Sequence, residues 1–423
     1  MILWLLIVLL LVCFTVNADQ SSLESPLAST VSFIRHHQLL PGQESGVTAV
    51  HSLTPTRVQL KTRPTAVYRP PYDSIREGAD PSNPKEELRW DIVHLNGPDV
   101  KDLHTLAQLA RMSANAYALP GQKNWYDIDS AWNISFPFGY EDAKDGFRGH
   151  VFLSSDNSTI VLAIKGTTLQ GATSKKDKFN DNLLFSCCCA RVDLSWVFNQ
   201  VCDCYANNWR CDNTCLSNAL IEDSLFYNVG VDLVSDLRTL YPSANIWLVG
   251  HSLGGALASL LGTTFGLPAV AFESPGERLA AERLGLRFPK PGLTVTPEAV
   301  ESPSLIPSIS PTTHIYHTGD PIPQGACTGP FSPCAQAGYA LETRCHLGKC
   351  VIFDTVDRLG WKVDVRTHTI KEVIGILEEW GKPEEGDPDP IGSWEVPDAL
   401  EELDCVDCYK WEFGEFKNKD YDE

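Results

Sequence analysis

The segment Asn245-Ile246-Trp247-Leu248-Val249-Gly250-His251-Ser252-Leu253-Gly254-Gly255-Ala256-Leu257-Ala258 constrains this chain more than any other. An apolar run of strand type enters Gly-x-Ser-x-Gly directly, and a helix of small residues leaves it. A strand-to-helix turn this sharp holds its serine in a strained conformation, and glycines are needed on both sides because side chains there would collide. Gly-x-Ser-x-Gly alone recurs by chance; the strand before it, the second glycine at Gly255 and the alanine-rich helix after it supply the context of a nucleophile elbow. The fold class is therefore α/β, with Ser252 raised at the edge of a central mixed sheet as the candidate nucleophile.

A serine hydroxyl is nearly inert at neutral pH, so it needs a histidine to take its proton and a carboxylate to orient that histidine. On α/β-hydrolase-type folds these follow the serine in the order acid, then histidine. Asp320 is the best acid: the β-type run Thr313-His314-Ile315-Tyr316-His317 ends in Thr318-Gly319-Asp320-Pro321, which sets a carboxylate on a short rigid loop. His368, in Arg366-Thr367-His368-Thr369-Ile370, is expected where a strand gives way to a helix over 370–380. His346 is its rival but lies between Cys345 and Cys350. His314 and His317 precede the acid and read as structural, and His251 reads as a packing or hydrogen-bonding neighbour of the nucleophile. The oxyanion needs donors already in place. The backbone N–H of Leu253 is one, and Thr167, after the apolar run Ile160 to Lys165, is the other candidate.

The N-terminus, Met1 to Val16, carries no charged side chain and addresses the chain to the secretory pathway, either as a cleavable signal peptide or as a signal anchor over residues 1–18. Thirteen of the fourteen cysteines lie beyond it, which suits disulfide stapling in an oxidising lumen and leaves one thiol over. A zinc site built from Cys345, His346, Cys350, Cys405 and Cys408 is the weaker alternative because its spacing is uneven. No metal and no cofactor is assigned. Asn133 and Asn157 head glycosylation sequons. The net charge is −20, and residues 384–423 hold fifteen acidic side chains against three lysines, so nucleic acid is excluded as a partner.

Along the chain, residues 19–90 are rich in Pro, Ser and Thr and read as a lumenal stalk or extended arm with short strands. The catalytic domain is expected over 91–382. Apolar spacing predicts a helix from Asp99 to Leu119, two strands over 149–155 and 159–165, and one long helix from about Ser217 to Leu240. The cysteine-rich stretch 169–215 lacks clean periodicity and reads as a lid, and 289–311 reads as an exposed Pro/Ser-rich insertion. Residues 383–423 read as a solvated acidic tail, with Trp394, Trp411, Phe413 and Phe416 as aromatics for docking or membrane contact.

Gly166-Thr167, the elbow, Ser274-Pro275-Gly276, Asp320-Pro321-Ile322-Pro323 and the late His368 together resemble the class 3 lipases. Phe33-Ile34-Arg35-His36-His37, Lys176-Asp177-Lys178-Phe179-Asn180-Asp181-Asn182 leading into Cys187-Cys188-Cys189, and Thr318-Gly319-Asp320-Pro321-Ile322-Pro323 resemble more narrowly the fungal autophagy-related lipases, over about residues 30–380. The resemblance implies an α/β-hydrolase-type lipase fold with a disulfide-rich lid and a triad of Ser252, Asp320 and His368. It implies a glycerolipid ester hydrolase that reaches the vacuole through multivesicular endosomes as a single-pass type II glycoprotein, and there breaks down autophagic bodies and intravacuolar vesicles. Its partner would be membrane lipid, phosphoinositide-containing membranes included; the oligomeric state is left open. The alternatives are a secreted carboxylesterase acting on soluble or cell-wall esters and a non-catalytic lipid-binding protein on the same fold.

Overall fold

The computed structural model describes residues 60–71, 90–132, 134–141, 146–191, 200–223, 225–289, 308–326, 331–380 and 395–416. All belong to the compact unit Ser52–Glu423. The apolar N-terminal segment and Asn133 lie outside the described residues, as do most of the expected 289–311 insertion and Trp394. Among the described residues, no helix is long and apolar enough to cross a membrane.

The fold begins earlier than Trp90. Strand β1 (Thr62–Arg69) pairs antiparallel with β2 (Asp91–Pro98) from Thr62↔Pro98 to Arg69↔Asp91. Trp247 Nε1 donates to Asn96 O at 2.8 Å, and Leu60 lies in the core cluster, so this hairpin packs within the same compact unit as the main sheet. Thr, Val and Tyr suit a half-buried pleated surface despite Pro64, which is why a Pro/Thr-rich composition misleads here.

Helix α1 (Leu103–Asn115) falls inside the expected 99–119; the Asp102 side chain accepts Thr105 N and so caps it. Of the sheet strands β3 (Ile134–Phe138), β4 (Gly149–Leu153) and β5 (Thr159–Ile164), β4 runs antiparallel to both its neighbours β3 and β5. Then come α2 (Ser174–Phe185), β6 (Arg210–Asp212), α3 (Asn213–Asp223) and α4 (Leu225–Leu240). Together α3 and α4 span the helix expected over 217–240, Ser224 lying outside the described residues. Next are β7 (Asn245–His251), α5 (Leu253–Phe265), β8 (Ala269–Phe272), α6 (Arg278–Arg283) and β9 (Thr312–His317). The chain continues through α7 (Pro333–Ala337), β10 (Lys349–Phe353), α8 (Thr355–Leu359), α9 (Ile370–Glu379) and β11 (Glu412–Gly414).

Seven strands form one mixed sheet in the order β10-β9-β8-β7-β5-β4-β3, with β5, β7, β8, β9 and β10 parallel. Every residue of β5 and β8 is buried, as expected of parallel strands covered on both faces. One face presents Val161, Trp247, Val249, Phe272 and Phe353 to a cluster that includes Leu106, Leu109 and Met112 of α1 and Ile374 and Leu377 of α9. Each such side chain contributes about 1.5–3 kcal/mol on burial. Helix α5 packs along β7 and β8.

Two regions are ordered in ways that their composition does not specify. Within the expected lid, α2 is buried along Asp177 and 180–185, and the segment is stapled by Cys188–Cys211, Cys189–Cys202 and Cys204–Cys215. The described part of the acidic tail is docked. Cys408 bonds Cys187 and Cys405 bonds Cys345, β11 pairs parallel with β6, and Leu400 exchanges both backbone hydrogen bonds with Cys350 at 2.8 and 3.0 Å. Its aromatics are engaged: Trp411 packs edge-on to Trp209 at 5.1 Å, and Arg283 sits 5.3 Å from the Phe413 ring centroid.

Candidate active site

The elbow is dictated by close packing. A Cβ on Gly250 would lie 2.2 Å from the Gly254 backbone, and one on Gly254 would lie 2.1 Å from Ile164 O. Strand β7 can therefore pass straight into α5 only with glycine at both positions. Between them Ser252 sits at φ +57°, ψ −130°, a strained backbone for a side-chain-bearing residue, pinned by Ser252 N donating to Phe272 O at 2.9 Å. Leu253 is the first residue of α5, and its N–H is among those that a helix leaves without an intrahelical acceptor.

Asp320 reaches the same edge from the loop after β9. A turn closes it, Asp320 N donating to His317 O at 3.1 Å, and Ile322 N donates to its Oδ1 at 2.9 Å. His368 follows a short 3₁₀ turn, Val365–Thr367, just before α9; this turn stands where a strand was expected. His368 Nδ1 lies 2.5 Å from Asp320 Oδ2, and its Nε2 lies 2.9 Å from Ser252 Oγ. An ionised carboxylate only accepts, so Nδ1 carries the proton and Nε2 is left as acceptor for the serine hydroxyl. Burial by itself would raise the Asp320 carboxyl, but the charge that His368 carries when protonated and its hydrogen bond hold it below the usual carboxylate range.

His251 lines the cleft beside them. Its Nδ1 pairs with Tyr117 Oη at 3.0 Å, and its ring centroid is 4.9 Å from that of His368. Complete burial, then the positive charge that His368 carries when protonated, push its pKa well below the ordinary histidine value, so it meets His368 as a neutral ring.

The loop after β5 is built around buried charge. Lys165 Nζ pairs with Asp177 Oδ2 at 2.7 Å, and Thr168 N donates to the same oxygen at 3.0 Å. One helical turn on, Asp181 accepts the hydroxyl of Thr167. Asp177 and Asp181, on one side of α2, thus fix the loop from which Thr167 faces the cleft. Burial pushes the Asp181 carboxyl up to about 8.

These groups share a cavity of about 490 Å³, whose lining includes Ser252, His368, Thr167, Leu169, Ile322, Tyr339, Leu341 and Ile370. Its size lies within the range of small-molecule sites. Sequence reading missed Tyr117, Asp177, Asp181 and Tyr339; the four-residue spacing of two acids downstream of a strand-end lysine was the available signal.

The other sequence candidates fall elsewhere. His346 is buried, with Nδ1 3.1 Å from Glu402 Oε2 and Nε2 3.1 Å from Ser274 O. Cys345, Cys405 and Cys408 are held in disulfides, which removes the ligand set of the weaker zinc alternative and leaves Cys350 as the free cysteine among the described residues. His314 Nε2 pairs with Glu277 Oε1 at 3.0 Å, and His317 with Thr355 Oγ1 at 3.3 Å. Asn157 sits at φ +55° in the exposed turn between β4 and β5.

Comparison with known proteins places this architecture. The family model described as Lipase (class 3) matches residues 161–267, which run from β5 past the elbow to just before β8. A protein of Cryptococcus neoformans var. neoformans serotype D (strain B-3501A) named "Putative lipase ATG15" is 44% identical over 394 residues, covering 80% of this chain and 72% of the relative. One of the same name from Saccharomyces cerevisiae (strain ATCC 204508 / S288c) is 43% identical over 337 residues, covering 78% and 60% respectively. The solved Lip2 lipase of Yarrowia lipolytica is 19% identical, covering 60% of this chain and 80% of that one, at a TM-score of 0.33. The fold is that of the α/β-hydrolase lipases. Within that class, the chain belongs to the ATG15 lipase family.

Proposed function

We propose that this protein is a serine ester hydrolase acting on glycerolipids, with Ser252 as nucleophile, His368 as general base and Asp320 as the acid that orients it. The observation that carries this reading is the unbroken line from Ser252 Oγ through His368 to Asp320, at 2.9 and 2.5 Å. His368 Nε2 takes the proton of Ser252 as Oγ attacks the ester carbonyl, and Leu253 N–H with Thr167 receives the oxyanion. When the tetrahedral adduct collapses, the proton on His368 passes to the leaving glycerol oxygen, and the acyl group stays on Ser252. A water deprotonated by His368 then attacks the acyl-enzyme, the Oγ–acyl bond breaks, Ser252 regains its proton and the fatty acid leaves.

The apolar side chains around Ser252, among them Ile322, Leu341 and Ile370, suit an acyl chain. The relatives' name supports a role in autophagy, and this reading extends it to lysis of autophagic bodies and intravacuolar vesicles, with a membrane as the lipid source. The route through endosomes to the vacuole, type II anchoring by the N-terminal segment, contact with phosphoinositide-containing membranes and glycosylation at Asn133 and Asn157 belong to the same proposal.

The test is fatty-acid release from phospholipid vesicles and from triacylglycerol emulsion at pH 5 and pH 7, comparing the protein with Ser252→Ala. Serine-dependent release from vesicles supports membrane disintegration, and release from emulsion alone points to stored neutral lipid. Equal release by both proteins on both lipids would sink the lipase reading.

A further inference from the structure

A second carboxyl stands behind the acid of the catalytic line. Glu273 follows β8 at once, its backbone held at φ +43°, a left-handed conformation that glutamate seldom adopts. Glu273 N donates to Ile315 O at 2.9 Å, which keeps that backbone against β9. The side chain is buried, and Oε1 accepts His317 N at 3.1 Å. It lies within hydrogen-bonding reach of the Asp320 carboxyl, while Oε2 meets no other donor among the described residues. Around the pair stand His317 and Tyr316 of β9, with His368 beyond Asp320.

Two carboxyls in contact away from water cannot both be ionised. The proton goes to the one with fewer donors stabilising its charge. Among the described residues, Asp320 receives His368 Nδ1–H and Ile322 N–H, whereas Glu273 receives His317 N–H alone. A proton on Oε2 also accounts for the buried oxygen that lacks a donor, because that oxygen then becomes one.

We propose that Glu273 is a positioning residue for the catalytic acid, a neutral carboxylic acid whose Oε2–H donates to Asp320 and holds that carboxylate in place for His368. The proposal rests on the reading of Ser252, His368 and Asp320 as a triad. Burial, followed by the charge of Asp320, pushes the Glu273 carboxyl well above the usual range and so keeps it protonated at neutral pH. The strained backbone is then part of the arrangement, since it turns the chain after β8 so that the side chain meets the β9 loop.

The test uses the full chain and a soluble short-chain ester such as p-nitrophenyl butyrate. Glu273→Met, which fills the space without a donor, is expected to lower kcat about tenfold to a hundredfold, the worth of one hydrogen bond to a charged group, with KM within about twofold. Glu273→Gln keeps an N–H donor and is expected to recover most of that loss. Wild-type kcat in Glu273→Met, or a loss in Glu273→Gln as large as in Glu273→Met, overturns the proposal. Should Glu273→Met fail to fold, the infrared difference spectrum of wild type minus Glu273→Gln decides at pH 7. A protonated-carboxyl C=O band supports the proposal, and a carboxylate band in its place overturns it. Full activity in Ser252→Ala would instead overturn the triad reading, whatever that spectrum shows.

Discussion

Thr167 donates its hydroxyl to the carboxyl of Asp181, and both residues line the cleft that holds Ser252. This joins the loop after β5 to α2 and makes the geometry of that loop depend on a buried acid. Burial lifts the Asp181 pKa to about 8, against about 3.9 in an unfolded chain. Between those values the folded state binds a proton that the unfolded state does not, so stability falls as pH rises. The contribution is fully present below about pH 4 and is lost progressively up to about pH 8. Asp181→Asn, which cannot ionise, should flatten the fall in urea stability between pH 5 and pH 8 by several kcal/mol. An unchanged slope in the variant would refute the assignment.

Ser252 was legible in the sequence because the elbow's demands are local and steric: the neighbours of Gly250 and Gly254 are each other's backbone and the adjacent strand end. Asp320 and His368 could be placed by order and by flanking turn chemistry. Glu273 could not, because its role arises from a contact to Asp320 that no local pattern encodes, and Asp181 was marked only by its four-residue spacing from Asp177. Helix α2 hid its nature in the same way. Lys165, Thr167 and Thr168 meet the acids it buries, so the apolar periodicity that marks an ordinary amphipathic helix is weak. The tail misled for a third reason. Its acidity reads as solvated, yet Asp407 accepts Arg344 N and Cys345 N at 2.7 and 3.1 Å, and cysteine pairing cannot be read from spacing.

Ser252 occupies a backbone conformation that costs about 1–3 kcal/mol for any residue with a Cβ. Both Ser252→Ala and Ser252→Gly should abolish turnover, but glycine relieves the strain at an entropic cost of about 0.5–1 kcal/mol. Ser252→Gly is expected to be the more stable of the two by about 1 kcal/mol in urea titration. Equal midpoints would show that the elbow stores no strain at this residue.

Gly254→Ala should be far worse than an ordinary helix substitution, although alanine is the better helix former. Its Cβ would meet Ile164 O at 2.1 Å and Lys165 C at 2.8 Å, both backbone atoms that cannot rotate away. Helix α5 must then move off β5 and carry Leu253 N–H with it. The expected outcome is a loss of more than about 3 kcal/mol in stability, with residual turnover well below wild type in the folded fraction. A melting temperature within a few degrees of wild type would contradict the packing described.

The Cys187–Cys408 disulfide joins α2's C-terminal side to the tail across a sequence separation of 221, the longest loop closed by any disulfide recorded among the described residues. Cross-links over long loops restrict the unfolded chain most, and removal of such a bond costs about 2–5 kcal/mol. The double variant Cys187→Ala/Cys408→Ala avoids stray thiols and leaves Cys345–Cys405 to hold the upstream part of the tail. It should lose stability by that amount, and residues after Cys405 should become the first site of proteolysis, because β11 pairs with β6 over three residues. Urea titration and a timed digest read by mass spectrometry check both. Wild-type stability together with an uncut tail would mean that the β11–β6 pairing and the Trp411 contacts hold the segment without the cross-link.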